Sequence, residues 1–223
     1  MEKRKVTVQR NAIENFLMFL KEFVKAHRKT VLIGFVTFII AVVLFLAGAV
    51  FYDIKSTAEL REYETLMNAY ESGPRDAAAF TDTVSKLVKI TDKSWFGYVH
   101  KNGYYIAAGM YFEHKMYDDA KIYYLKFADK SSSPVLVPLA LFQAAICAEN
   151  GEKYDEALSI YKKIEKSYKD TGFNDRMMYD MGRMYQKKGD RITAKEYFNK
   201  VISQYPNSWF AVQSKVRVFI LGI

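Results

Sequence analysis

The sequence predicts an all-α protein, with a single N-terminal transmembrane helix followed by an α-solenoid of helical hairpins. Three observations carry that prediction. Val31 to Tyr52 is a run of 22 residues without a charge. Three alanines, Ala120, Ala157 and Ala194, recur 37 residues apart in matching surroundings. The 223 residues contain only four prolines and eleven glycines, too few for the many turns of an all-β sandwich. Half of the residues are hydrophobic, which is ample for a core and excludes disorder as the main state. A lone cysteine, Cys147, excludes an intramolecular disulfide framework and a cysteine-rich zinc site.

The net charge of +8 is divided unevenly. Residues 1–30 hold eight basic residues (Lys3, Arg4, Lys5, Arg10, Lys21, Lys25, Arg28, Lys29) against three acidic ones, and residues 53–223 hold 25 against 22. As a helix, the uncharged run between them would be roughly 33 Å long, enough to cross a hydrocarbon core of about 30 Å. Its basic flank keeps the short N-terminus in the cytosol and exports the remainder, by the positive-inside rule. Ala47-Gly48-Ala49 resembles a signal-peptidase site, so a cleaved signal peptide competes with an anchor. The long basic lead and the length of the apolar run favour the uncleaved anchor. Within residues 1–30, Ile13, Phe16, Leu17, Leu20, Phe23 and Val24 share one helical arc opposite a mostly basic face. That pattern suits a helix lying on anionic headgroups, so lipid contact is expected through residues 13–52.

Each repeated alanine is followed by an aromatic residue four positions on and an apolar residue three beyond it. The sets are Ala120, Tyr124, Phe127; Ala157, Tyr161, Ile164; and Ala194, Phe198, Val201. A small residue lets a neighbouring helix approach, and the aromatic fills the space beside it. Upstream of each set lies another helix, around Ala108, Ala145 and Gly182. The hinges between the two helices hold His114-Lys115, Gly151 and Gly189, where a left-handed residue is expected. Pro134 and Pro206 close the first and third units. The expected organisation is a basic tail with an amphipathic helix (1–30), the span (31–52) and an N-terminal hairpin cap (53–100). Three repeats follow (101–137, 138–174 and 175–208), then a capping helix (209–223) with Asn207 or Ser208 as its N-cap.

These units resemble the tetratricopeptide repeat. The small residue before its turn stands here as Ala108, Ala145 and Gly182, and the aromatic three later as Tyr111 and Tyr185, with Ala148 a departure. The tyrosine after the turn stands as Tyr117 and Tyr154, with Arg191 a departure, and Pro206 matches its closing proline. The resemblance implies a stack of helical hairpins whose first helices line a concave surface. In that register Tyr105, Phe112, Phe142, Glu149, Arg176, Tyr179, Arg183 and Lys187 face a protein partner. Aromatics flanked by polar groups suit a peptide segment, and Arg176, Arg183 and Lys187 suit an acidic part of it.

No catalytic constellation is present. His27, His100 and His114 have no metal-pair spacing, and no phosphate loop or nucleophile elbow occurs. Asp118-Asp119 and Asp155-Glu156 open second helices, where they complement the helix dipole. Cys147 reads as a small buried hydrophobe. Neither an enzyme, a cofactor nor a metal is expected, and a net +3 over residues 53–223 is weak support for nucleic-acid binding.

The arrangement of basic N-terminus, one span and exported repeats resembles the ancillary subunit of the bacterial SecYEG translocon. The likeness is strongest from Glu14-Asn15-Phe16 to Lys29-Thr30-Val31-Leu32-Ile33-Gly34. It implies a single-pass inner-membrane protein with a periplasmic domain, assisting the translocon and periplasmic chaperones with exported proteins. Two other interaction roles fit the same residues: an envelope scaffold for cell-division or outer-membrane assembly machinery, and an organellar import-receptor-like protein.

Overall fold

The computed structural model describes residues 12–74, 76–168 and 170–222. The described residues form ten α-helices and no strand. The chain divides into two compact units, Met1–Lys55 and Ser56–Ile223. Lys3, Arg4, Lys5 and Arg10 of the expected basic tail lie outside the described residues.

In the first unit, α1 (Ala12–Ala26) carries Glu14 in its first turn and Lys25 in its last, the order that complements the helix dipole. The apolar arc of Ile13, Phe16, Leu17, Leu20, Phe23 and Val24 is exposed along its whole length. His27 follows, with its ring stacked on Phe23 at 4.7 Å. α2 (Arg28–Ser72) then runs as one helix of 45 residues. It is long and apolar enough to cross a membrane by length and composition, and its most apolar window has no buried residue. The sequence reading ended the span at Tyr52 and began the cap at Asp53; the helix itself continues across that point to Ser72. No glycine or proline lies between Gly48 and Gly73, so nothing stops the helix before Gly73-Pro74.

In the second unit, the last part of α2 and α3 (Ala77–Lys93) form the N-terminal hairpin. Asp76 caps α3, accepting a hydrogen bond from the Ala79 amide at 2.8 Å. Phe80, Val84 and Leu87 pack with Ala107 and Met110 of α4 (Gly97–Glu113), and Tyr63, Leu66, Met67 and Tyr70 cover that cluster. His114 stacks on Phe80 at 3.9 Å, and its Nε2 lies 3.0 Å from the Tyr70 hydroxyl. It is therefore a clasp between the hairpin and the first repeat, where the sequence placed it only in a hinge.

The repeats pair α4 with α5 (Tyr117–Lys130), α6 (Leu136–Asn150) with α7 (Tyr154–Ser167), and α8 (Asn174–Lys187) with α9 (Arg191–Gln204). All nine residues of the repeated stripe, from Ala120 to Val201, are buried in one core. At the third crossing the helices approach so closely that a Cβ on Gly182 would meet the Phe198 ring at 2.7 Å. The hinges share one hydrogen-bond pattern. The Lys115 and Met116 amides donate to Phe112 and Tyr111, those of Glu152 and Lys153 to Glu149 and Ala148, and those of Gly189 and Asp190 to Gln186 and Tyr185. The left-handed residues are Lys115 (φ 59°), Glu152 (φ 57°) and Gly189 (φ 83°), again 37 apart. Gly151 was expected in that role, but it has φ −84° and only ends α6.

α10 (Trp209–Leu221) closes the far end. The Ser208 hydroxyl accepts from the Phe210 amide at 3.0 Å and donates to Asp175, so of the two residues expected as N-cap Ser208 is the one used. Arg191 donates to the Leu221 carbonyl at the other end of the helix.

Candidate protein-binding surface

α4, α6 and α8 supply the eight residues expected to face a partner, and the structure separates them into three groups. Tyr105 and Phe112 on α4 are half-buried. Tyr105 packs edge-on against Tyr124 and Phe127, each 5.2 Å away, and Phe112 against Tyr117 at 5.6 Å. These contacts fix the rings while leaving part of each accessible.

Phe142 and Tyr179 are the second group, and here the expectation is corrected. Phe142 is 3 % exposed and Tyr179 8 %. Phe142 lies between Tyr161 (5.7 Å) and Phe173 (4.8 Å). Tyr179 sits between Phe198 (5.6 Å) and Phe210 (5.5 Å). Both rings pack between successive hairpins, because each first helix must also bury a stripe against the neighbouring unit.

Glu149, Arg176, Arg183 and Lys187 form the third group, and Asp180 joins them. Arg183 contacts Glu149 at 2.5 Å across the two repeats and Asp180 at 2.8 Å along its own helix. Arg176 lies 3.7 Å from the other oxygen of Asp180 and also over the Phe142 ring at 5.1 Å. Burial pushes the carboxyls of Glu149 and Asp180 above their ordinary range, against the opposing pull of Arg183. Burial likewise works against the Arg183 charge, but the two carboxylates outweigh it and hold its pKa up. The patch expected to be basic thus has two guanidinium groups answered by two carboxylates, and of its cations Lys187 carries no ion pair among the described residues. Sequence reasoning missed Asp180. Its signal was the spacing, four residues after Arg176 and three before Arg183.

The acidic pairs at the starts of α5 and α7 occupy the first helical turn, as expected. They also join successive repeats. Lys153 contacts Asp118 at 2.5 Å, Lys121 contacts Glu156 at 2.7 Å, and Lys188 contacts Asp155. Lys121 is buried, which disfavours its charge, but the hydrogen bond to Glu156 prevails and raises its pKa. Cys147 is buried, and burial pushes its thiol up to about 12, so it packs as an unreactive apolar group.

A cleft of about 380 Å³ lies where α4, α5 and α6 meet, lined among others by His100, Lys101, Asn102, Lys130 and Ser132. At its wall the Tyr104 hydroxyl donates to Asp92 and accepts from Lys130 at 3.0 Å. Among the described residues no group of three or more His, Cys, Asp and Glu side chains is placed to hold a metal ion.

Repeated hairpins with one hinge geometry and one buried stripe define an α-solenoid, and the comparisons give its type. Residues 139–171 and 176–208 match the tetratricopeptide repeat family. A TPR repeat-containing protein of Treponema pallidum (strain Nichols) is 20 % identical over 141 residues, which cover 63 % of this chain. The chain spans 59 % of the length of that curated relative. The crystal structure of YrrB, described as a TPR protein with an unusual peptide-binding site, is 19 % identical, with 69 % of this chain and 98 % of that one covered and a TM-score of 0.31. Residues 139–171 and 176–208 therefore carry tetratricopeptide-like repeats, and residues 101–137 share their hinge geometry.

Proposed function

We propose that the chain is a single-pass inner-membrane protein whose repeats bind proteins on the periplasmic side, assisting the Sec translocon and periplasmic chaperones with exported chains. The observation that carries this reading is the 22-residue uncharged run inside α2, whose most apolar window has no buried residue. Such a surface needs an apolar surrounding, and the basic residues before it favour a cytosolic N-terminus. The exposed arc of α1 supports lipid contact through residues 13–52. Tetratricopeptide-type hairpins bind proteins or peptides, and the accessible edges of Tyr105 and Phe112 on α4 and the exposed Lys187 on α8 suit that role.

Photo-crosslinkers placed at Arg176 and Lys187, both exposed, and used in intact membranes test the proposal. Capture of a translocon or chaperone component is the expected result. Capture of cell-division or outer-membrane assembly proteins instead would assign the scaffold role and overturn this one. Protease added from the outer side of the membrane should digest the repeats and spare the N-terminus; the reverse pattern would overturn the topology and favour an import-receptor-like arrangement.

A further inference from the structure

The outer face of α10 is apolar and uncovered. Trp209, Val212, Val216, Phe219 and Ile220 are all exposed, up to 87 % at Phe219. Their spacing of three, four, three and one confines them to an arc of roughly 100°. The opposite face is already used, with Ala211, Ser214 and Leu221 buried against the repeats. A monomer gains nothing by exposing five large apolar side chains on one helix, so such a stripe marks a contact.

The charge around the stripe identifies its occupant. Residues 53–182 carry 17 basic and 20 acidic side chains, whereas residues 183–223 carry eight basic and two acidic. α10 itself holds Lys215 and Arg217 and no carboxylate side chain. Lys215 and Arg217, which flank the stripe on α10, carry no ion pair among the described residues. A second copy would bring two such basic ends together, and like charges oppose that. A polyanion without an apolar phase would leave Val212, Val216 and Ile220 uncovered. A bilayer surface with anionic headgroups satisfies both parts, taking the apolar stripe among its acyl chains and the cations at its phosphates. We infer that α10 is a membrane-surface helix that docks the C-terminal end of the repeat domain on anionic lipid. The inference rests on α10 and its surroundings, independently of whether α2 spans the membrane.

The test uses the full chain carrying Trp95→Phe, which leaves Trp209 as its one tryptophan. The protein is mixed with phosphatidylcholine vesicles containing about one third phosphatidylglycerol, with brominated acyl chains as quenchers. Trp209 emission should shift to the blue and fall roughly two-fold or more, with little change in pure phosphatidylcholine. The double variant Lys215→Glu/Arg217→Glu, with helix content checked by circular dichroism, should lose the quenching. Raising salt to about 0.5 M should do the same. Unquenched Trp209 in both vesicle types would overturn the inference. Equal quenching in both would overturn its electrostatic part, and an emission shift that follows protein concentration instead of lipid would assign the stripe to a second copy. Alkaline carbonate extraction of membranes reports on the α2 anchor separately, so the two readings fail independently.

Discussion

At the N-terminal end of the repeat domain, the hairpin of α2 and α3 turns its large apolar side chains inward: Phe80, Val84 and Leu87 are buried, and no large apolar residue between Ser56 and Ser94 is exposed among the described residues. At the C-terminal end, α10 leaves five such residues in solvent within thirteen positions. Both elements close a solenoid, which would otherwise end on an apolar surface. A hairpin achieves closure because its two helices can bury each other's apolar faces. A single helix can bury only one face, so whatever its second face carries is free to serve another purpose. The charge difference between the ends reinforces the contrast, since within residues 53–223 the basic excess is confined to residues 183–223.

The contrast is broken most directly by removing one aromatic ring from each end. Phe80 is buried, edge-on to Tyr111 at 5.4 Å and stacked on His114. Phe80→Ala should therefore lower the unfolding free energy by roughly 3 to 4 kcal/mol. Phe219→Ala should change it by less than about 0.5 kcal/mol, because an exposed ring loses little burial on truncation. Urea unfolding of the full chain in detergent micelles, followed by circular dichroism, measures both. A large loss at Phe219 would mean that α10 packs its outer face against the repeats, and the contrast would be gone.

A smaller effect is expected where the second and third repeats meet. Arg183→Ala leaves the carboxylates of Glu149 and Asp180 without their shared guanidinium. Removing one partner of a buried ion pair costs several kcal/mol, but the Arg183 side chain is 32 % exposed, so about 2 kcal/mol is expected after allowing for solvent screening. The loss should depend on pH. Burial already raises the pKa of both carboxyls above their unfolded values. The folded state therefore takes up protons at higher pH than the unfolded chain, and the contribution of these groups improves as pH falls from neutral through the raised pKa values. Without Arg183 that rise should be steeper, so the variant should lie furthest below the parent near pH 7 and approach it near pH 5. A deficit equal at both values would mean that the arginine acts through its packing alone.

What could be read from the sequence followed spacing, and what could not followed contact. The small–aromatic–apolar triplets at Ala120, Ala157 and Ala194 placed the hairpins, because repetition at 37 residues leaves few other folds. The uncharged run was equally plain. The helix runs on past Tyr52 because a change from apolar to polar composition is not a helix stop; only Gly73-Pro74 supplies one. Phe142 and Tyr179 were placed on the surface because the repeat register gives a helix face without saying how deep the neighbouring hairpin sits. Asp180 was overlooked although its spacing to two arginines was visible, since the register predicted only which residues face outward. The Phe80–His114 stack joins residues 34 apart from different kinds of unit, and no periodic signal could have disclosed it.

The hinges offer the smallest and most specific comparison between the two ends. All three hinges place one residue in the left-handed region, but only the third uses glycine, at Gly189; the first two use Lys115 and Glu152. A side chain with a Cβ pays roughly 1 kcal/mol for that conformation. Lys115→Gly and Glu152→Gly should relieve it, while glycine's greater freedom in the unfolded chain opposes the gain. The net expectation for each is a stabilisation of about 0.5 kcal/mol, read as an upward shift in urea midpoint. Gly189→Lys should lower the midpoint by a similar amount or more, since it imposes at the third hinge the strain that the first two carry. If all three substitutions destabilise, Lys115 and Glu152 must make side-chain interactions that offset their backbone strain. The three hinges would then be alike in backbone path and different in what holds them.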